Sequence, residues 1–218
     1  MNLIITGATG FTGGEVLRQA LVDAAIDQVT VITRRSVQIA HAKLKEIVLN
    51  DFLDYAGIPL SGYDACIWCL GISQTQVSED KYIEITYGYA VAAAQAMFAV
   101  NPSLRFCFVS GRSADTREQR PNLFARIKGR TEKKLGELGR NVFVFRPGYI
   151  RATARSVPRK DIGRLFAPIA SLVSLFTEDF SVDCDRLAEA LLDVAKNGSD
   201  LKLFKNDDLG RWRLRHSR

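Results

Sequence analysis

Long hydrophobic runs are missing from this sequence of 218 residues. The longest candidate, APIASLVSLF at residues 167–176, is shorter than the roughly 20 apolar residues that cross a bilayer. The opening stretch MNLIITGATG contains no basic residue, and its apolar part stops at Gly7, which does not fit a secretory signal. The sequence therefore predicts no membrane span and a cytoplasmic location.

Histidine and cysteine are scarce, which bears on metal binding. Cys66 and Cys69 form a C-x-x-C pair, but zinc needs a second pair of ligands, and neither His41 nor His216 has suitable spacing. The stretch DACIWCLG around the two cysteines is typical of a buried strand, where positions three apart point to opposite faces. We therefore predict buried structural thiols and no metal site.

Negative charge is sparse over residues 112–164 of the chain. Residues 112–164 contain 15 Lys or Arg against 5 Asp or Glu, and the final stretch RWRLRHSR adds four Arg. Such clustering attracts anions, so the sequence favours an acidic small molecule or phosphate as ligand. No helix-turn-helix, zinc finger or aromatic platform is present, and nucleic acid is not expected. A homodimer or a protein partner stays open.

Strand and helix patterns alternate along the chain. Apolar or β-branched runs predict six strands and one further edge strand: LIIT, QVTVITR, EIVLND, DACIWCLG, LRFCFVSG, NVFVFRPG and LKLF. Helical spacing occurs in GGEVLRQALVDA, in YAVAAAQAMFAV after a loop SEDKYIE, over residues 121–139, and over residues 184–198. This alternation predicts an α/β domain over residues 1–218, a doubly wound parallel sheet covered by helices on both faces. Residues 151–180 interrupt the pattern, and we expect a cap or loop on the substrate side.

Three glycines separate the first strand from the first helix. Gly7, Gly10 and Gly13 in TGATGFTGGEV permit a tight turn, close backbone approach to a pyrophosphate, and packing of helix against sheet. The helix amino terminus then offers N–H groups and partial positive charge to the phosphates. Because a strand precedes the motif and a helix follows it, the sequence predicts a dinucleotide site.

The residues after the second strand indicate which dinucleotide binds. A site selective for NAD usually places Asp or Glu there, against the ribose 2′-hydroxyl. This chain has Arg34 and Arg35 instead, and a guanidinium can hold a 2′-phosphate through two charge-assisted hydrogen bonds. We therefore predict NADP(H) in preference to NAD(H). The alternative is that both arginines are ordinary solvated charge at a strand end.

The glycine spacing in TGATGFTG resembles the extended and atypical branches of the short-chain dehydrogenase/reductase superfamily, whose members bind NAD(P) on a Rossmann fold. CLG at 69–71, FVSG at 108–111, the helix with Lys128, and RPGYI at 146–150 follow in family order. The chain is similar to the small Tat-interacting-protein-like and the epimerase/dehydratase-like members, over roughly residues 2–150. The resemblance implies that the following residues contact the dinucleotide: Gly7, Thr9, Gly10, Phe11, Thr12, Gly13, Leu70, Gly71, Lys128 and Pro147.

The same resemblance gives Asp51 and Phe52 a role after the third strand. Asp51 would accept a hydrogen bond from the adenine amino group, and Phe52 would flank the ring. The other interpretation of Asp51 is a helix N-cap. The sequence leaves both open.

The resemblance also implies a catalytic apparatus from which one part is missing. Family members use a Tyr hydroxyl for proton transfer, a Lys four residues later for the nicotinamide ribose, and a Ser after the fifth strand for the substrate oxygen. Lys128 matches the Lys, and Ser110 or Ser113 could supply the hydroxyl, but Phe124 replaces the Tyr. Phe has no exchangeable proton.

Two interpretations of Phe124 follow. In the first, another group is the proton donor: Tyr149, one of Tyr82, Tyr87 and Tyr89, or water. Otherwise the chain binds NADP(H) and catalyses nothing, as a redox-sensing regulator with a protein partner. A shifted alignment of the helix is disfavoured, because FARIK is the one aromatic-x-x-x-Lys pattern there. The sequence predicts an atypical oxidoreductase-like protein with weak or unusual activity.

Overall fold

The computed structural model describes residues 1–153 and 181–212. The strands in these ranges are β1 (Asn2–Thr6), β2 (Gln28–Thr33), β3 (Leu44–Val48), β4 (Ala65–Trp68), β5 (Arg105–Val109), β6 (Val142–Arg146), β7 (Tyr149–Arg151), β8 (Ser181–Asp183) and β9 (Leu203–Lys205). Seven of them form one parallel sheet, in the order β3-β2-β1-β4-β5-β6-β9. The strands β7 and β8 pair in parallel beside it.

Helices cover both faces of the sheet. They are α1 (Phe11–Val22), α2 (Glu79–Ile83), a π-helical turn (Glu84–Gly88), α3 (Tyr89–Val100), α4 (Leu123–Leu138), α5 (Cys184–Asn197) and α6 (Asn206–Gly210). Along β1, Leu3 and Ile5 pack with α1 and α5, whereas Ile4 packs with α3 on the opposite face. This alternation within one strand produces three layers, and it confirms the predicted doubly wound parallel sheet.

The run SEDKYIE was predicted to be a loop, and that prediction was wrong. Helix α2 begins at Glu79 because the Ser78 hydroxyl accepts a hydrogen bond from the Lys81 N–H at 3.4 Å. Glu79 and Asp80 in the first turn complement the positive end of the helix. Capping and charge therefore outweigh the polar composition that favoured a loop.

The helical run Glu79–Val100 is, in the described part of the chain, the one helix long and apolar enough to cross a membrane. The run has 22 residues. An 18-residue window within it has a mean hydropathy of 1.2, and 44% of that window is buried inside the protein. Its buried residues include Tyr82, Ile85 and Met97, which belong to the core or touch it. The helix thus has a role as a core element, which also accounts for its apolar composition.

The order of the strands places a crevice above β1 and β4. The chain proceeds outward from β1 through β2 to β3, and then returns to β4 on the other side of β1. In open parallel sheets of this kind, ligands bind at the carboxyl ends of the strands where the order reverses. Thr6, Trp68 and Val109 end β1, β4 and β5 at this edge. Most of the expected cap over residues 151–180 lies outside the described residues.

Candidate functional site

The turn after β1 is packed too closely for any side chain at Gly7, Gly10 or Gly13. Gly7 has a φ of +67°, and a Cβ there would lie 2.6 Å from the carbonyl carbon of Cys69. A Cβ on Gly13 would lie 2.2 Å from the Gly7 oxygen. Gly10 donates its N–H to that same oxygen at 2.7 Å. The turn therefore needs glycine to bring β1, β4 and α1 together.

The amino terminus of α1 opens onto the crevice without a side-chain cap. Gly10 is the N-cap residue, and it has no side chain to hydrogen-bond the first-turn N–H groups. Phe11 and Thr12 are half-buried, and Thr9 is exposed. Uncapped N–H groups at a helix start suit an anionic phosphate.

The residues predicted after β4 lie beside the same turn. The Leu70 N–H donates to the Thr6 hydroxyl oxygen at 3.4 Å, and Gly71 is exposed. Pro147 follows β6 and accepts a hydrogen bond from the Arg112 N–H at 2.9 Å. The structure therefore brings these positions to the carboxyl edge of the sheet, and their contact with a dinucleotide stays a prediction.

Arg34 and Arg35 are exposed immediately after β2. The Thr33 hydroxyl fixes the turn by donating to the Arg35 carbonyl oxygen at 2.8 Å. Within residues 1–153 and 181–212, neither guanidinium takes part in an ion pair. Both are therefore available to an anion at this end of the crevice.

Asp51 and Phe52 follow β3 but differ in exposure. The Asp51 carboxylate is exposed and accepts the Leu53 N–H at 2.8 Å, so it caps a turn rather than a helix. The Phe52 ring is 1% exposed and stacks on Tyr89, with ring centroids 5.6 Å apart. Because the ring lies in the core, a ligand at this position could reach the backbone of Phe52 more readily than its aromatic face.

Lys128 is held in a buried position on α4. Its Nζ donates to the Val109 carbonyl oxygen at 2.9 Å and lies 4.8 Å from the centroid of the Phe108 ring. Burial lowers the pKa of Lys128 to about 8, although the nearby Glu132 carboxylate acts in the opposite direction. The ammonium group is therefore placed at the end of β5, directly beside the crevice.

The lowered pKa predicts a pH-dependent stability that Lys128→Met should remove. Between pH about 8 and the ordinary pKa of 10.5, the unfolded chain keeps a proton that the folded chain has lost. The contribution of Lys128 to the free energy of unfolding therefore rises with pH across this window, and it is constant below it.

Denaturant unfolding at several pH values checks this expectation. The free energy of unfolding of the wild type minus that of Lys128→Met should be flat from pH 6 to 7 and should increase from pH 8 to 10. A constant difference across the alkaline range would show that Lys128 titrates normally.

The Ser110 hydroxyl is already engaged in a buried network. It donates a hydrogen bond to Glu132 Oε1 at 2.5 Å. The same carboxylate accepts hydrogen bonds from Arg146 Nε at 2.9 Å and from Arg146 Nη2 at 2.5 Å. The Glu132 side chain is 5% exposed. Because a hydroxyl has one proton, Ser110 in this arrangement can accept from a ligand but cannot donate to it.

Phe124 forms part of a cleft of about 550 Å³ at the ends of β5 and β6. Its ring rests on Gly111, where an added Cβ would lie 2.5 Å from the Phe124 Cζ. Its backbone N–H donates to the Gln74 side-chain oxygen at 2.9 Å, which ties the start of α4 to the loop after β4. The cleft is lined by Ser110, Gly111, Arg112, Ser113, Arg120, Phe124, Pro147, Gly148 and Ile150.

The tyrosines considered as proton donors lie away from the lining of this cleft. Tyr149 is 44% exposed on β7, and its neighbour Ile150 is the residue that lines the cleft. Tyr82 is fully buried, and Tyr89 donates its hydroxyl to Glu84 at 2.8 Å. Tyr87 is half-buried in the π-helical turn. A role for any of them stays a prediction.

Sequence reasoning missed Glu132 and Gln74. Glu132 lies four residues after Lys128, so both are on one face of α4, and this spacing was a usable signal. Gln74 lies 50 positions before Phe124. No local pattern could have placed its side chain at the start of α4.

Cys66 and Cys69 point to opposite faces of the sheet, as predicted. Cys66 is buried with Trp68 on one face, and Cys69 packs against the other core cluster. Neither forms a disulfide, and burial raises the pKa of the Cys69 thiol to about 12. In the described ranges, no group of three or more His, Cys, Asp or Glu could hold a metal ion.

Comparison with known proteins agrees with this geometry. Residues 3–121 match the model of the NAD dependent epimerase/dehydratase family. Protein HTATIP2 of Rattus norvegicus is 26% identical over 213 residues, which cover 94% of this chain and 86% of the relative. The similarity to HTATIP2 is thus spread over most of both chains.

Two solved structures share the fold. Gre2 of Candida albicans, in complex with NADPH, has a TM-score of 0.73 at 14% identity, covering 94% of this chain and 77% of Gre2. A short chain dehydrogenase family protein from Francisella tularensis has a TM-score of 0.68 at 15% identity. The match covers 95% of this chain and 98% of the Francisella protein. The glycine turn, the parallel sheet and the family match agree: the chain belongs to the NAD dependent epimerase/dehydratase family.

Proposed function

We propose that this chain binds NADP(H) as an oxidoreductase-like protein that lacks the usual proton donor. Three features support the dinucleotide: the close-packed glycine turn, the uncapped start of α1, and Lys128 at the end of β5. The exposed Arg34 and Arg35 favour the 2′-phosphate form. Gre2, which shares the fold, is described in complex with NADPH.

The lining of the cleft carries the proposal about catalysis. Among the described residues that line it, there is no Tyr, His, Cys, Asp or Glu. Phe124, four residues before Lys128 on α4, has no hydroxyl, and the Ser110 proton is committed to Glu132. The chain thus presents a substrate cleft without a side chain that readily gives up a proton.

Each residue keeps a distinct task in this proposal. Bound NADPH would supply a hydride. Lys128 would bind the ribose hydroxyls and hold positive charge near the reacting oxygen, a role that does not need a tyrosine. The proton would come from water or from a tyrosine outside the cleft lining. Because loss of a general acid costs about 10²–10⁴-fold in rate, we expect slow but measurable turnover of a small-molecule carbonyl substrate.

A non-catalytic NADP(H)-binding regulator is the second candidate, favoured by the same Phe124. The two functions differ in NADPH consumption against a panel of aldehydes, ketones and oxo acids, with cofactor affinity measured separately by calorimetry. Slow consumption that depends on Lys128 supports the oxidoreductase. Tight NADPH binding without consumption supports the regulator, and absence of binding contradicts both.

Arg34→Asp is expected to weaken NADPH binding far more than NADH binding. Losing charge-assisted hydrogen bonds to the 2′-phosphate costs about 1.5–3 kcal/mol, which raises the Kd for NADPH by about 10–150-fold. NADH lacks that phosphate, so its Kd should change by less than about threefold. Isothermal titration calorimetry with both dinucleotides measures the two effects.

Arg140→Asp is the matched control for this change. Arg140 is also exposed, but it precedes β6 and so lies at the opposite edge of the sheet. The same change of charge there should leave the preference for NADPH intact. Equal weakening of NADPH and NADH by Arg34→Asp would show that Arg34 does not select the phosphate.

A further inference from the structure

The loop over residues 111–122, between β5 and α4, has its negative charges engaged away from the cleft. The Asp115 carboxylate accepts backbone N–H groups of Arg117, Gln119 and Arg120 at 2.8–3.0 Å. These hydrogen bonds, led by that from Arg120, lower the pKa of Asp115. Glu118 forms an ion pair with Arg130 at 2.6 Å. Both carboxylates thus stabilise the loop, and neither lines the cleft.

The positive charges of the loop have a different distribution. Arg112 and Arg120 both line the cleft, whereas Arg117 does not. The hydrogen bond from the Arg112 N–H to the Pro147 oxygen anchors the start of the loop to the end of β6. Arg120 is exposed, and its guanidinium makes no ion pair with a described residue. The cleft is therefore bordered by cationic groups with no acid among its lining residues.

Ser113 presents a hydroxyl at the cleft that, unlike that of Ser110, has no hydrogen-bond partner among the described residues. Ser113 is half-buried and lines the cleft, and its side chain makes no hydrogen bond within the described residues. The Ser110 hydroxyl donates its hydrogen bond to the Glu132 carboxylate. Phe124, Pro147 and Ile150 give the remaining wall an apolar character. A ligand that fits has a small apolar body and one anionic end.

We propose that the cleft selects a small organic carboxylate, held by the Arg120 guanidinium and the Ser113 hydroxyl. A carboxylate fits because its two oxygens match the planar fork of one guanidinium. A volume of about 550 Å³ suits a molecule of the size of an aryl oxo acid. The inference rests on the proposed function for the location of the substrate, and it adds the chemical class.

A pair of ligands with and without a carboxylate tests the proposal. Phenylglyoxylate and its methyl ester share the carbonyl and the ring, but only the first carries a carboxylate. Each is titrated calorimetrically at low salt into the full chain, with and without saturating NADP⁺. The acid should bind at least about tenfold more tightly than the ester, because hydrogen bonds between charged groups are lost in the ester.

Arg120→Gln and Arg117→Gln form the matched pair of variants. Arg120→Gln should reduce the preference for the acid to within about threefold, and Arg117→Gln, in the same loop but outside the cleft lining, should preserve it. Both should unfold at the same Tm as the wild type, which shows that they fold, and both should match its affinity for NADPH.

The outcomes separate this inference from the proposed function. Equal binding of acid and ester, or a preference that survives Arg120→Gln, overturns the carboxylate site even where NADPH binds. A preference that Arg120→Gln abolishes supports the site, including in a protein that fails to bind NADPH. Failure to bind NADPH would overturn only the proposed function.

Discussion

Phe124→Tyr is expected to raise NADPH-dependent carbonyl reduction by about 10²–10⁴-fold, the usual contribution of a positioned general acid. The new phenol would lie four residues before Lys128, on the same face of α4. The Lys128 ammonium would lower the phenol pKa and favour proton transfer. NADPH consumption against the carbonyl panel measures the gain.

The gain requires the ring at position 124 to move. The Phe124 Cζ, which would carry the hydroxyl, faces Gly111 and is the atom nearest to the place of a Cβ there. A hydroxyl at that carbon has no room until the ring turns away from Gly111. The adjoining cleft of about 550 Å³ offers space for that rotation. A crystal structure of the variant would show the new orientation.

Two controls make the result specific to the hydroxyl. Phe124→Leu alters the packing on Gly111 without adding a proton donor, and it should show no gain. The double variant Phe124→Tyr, Lys128→Met should lose the gain, because the charge that lowers the phenol pKa is absent. If Phe124→Tyr binds NADPH normally and still consumes none, the missing hydroxyl is not what limits this site.

Gly13→Ala is expected to abolish tight NADPH binding and to lower stability. The new methyl group would lie 2.2 Å from the Gly7 oxygen and 2.6 Å from the Gly7 carbonyl carbon, both backbone atoms. The turn has to shift, and this removes the close backbone approach that the pyrophosphate needs. Overpacking of this kind costs about 1–3 kcal/mol, and we expect the Kd for NADPH to rise by more than about tenfold. Calorimetry and denaturant unfolding measure the two effects.

Gly14→Ala is the adjacent control on the same helix. A Cβ there meets only the Ala8 oxygen, at 3.3 Å, which is tight but far less severe. Ala favours a helix over Gly by about 1 kcal/mol, which offsets the tight contact. The free energy of unfolding should therefore change little. Dinucleotide binding should stay within about threefold of the wild type. Similar losses in both variants would mean that any bulk at the start of α1 is harmful, and that the contact with Gly7 is not special.

Much of the fold follows from local patterns. β-branched and apolar runs predicted the inner strands, because a strand buried on both faces leaves a continuous apolar signal. The short edge strand at Leu203 was also predicted, although Phe204 is its one buried residue. The glycine turn was identifiable because its spacing, strand and helix are contiguous in the chain. The helix α2 was missed because its cap at Ser78 lay inside a stretch that looked polar throughout.

The sequence by itself determined the family, the parallel sheet, the glycine turn, and the absence of a hydroxyl at position 124. Each of these depends on residue types and on the order of short motifs along the chain. Only the tertiary structure showed that the Ser110 proton is committed to Glu132, that the Phe52 ring lies in the core, and that Arg120 rather than Arg117 borders the cleft. The physical reason is that hydrogen-bond partners and burial depend on which distant segments fold together, and one-dimensional spacing does not encode that choice.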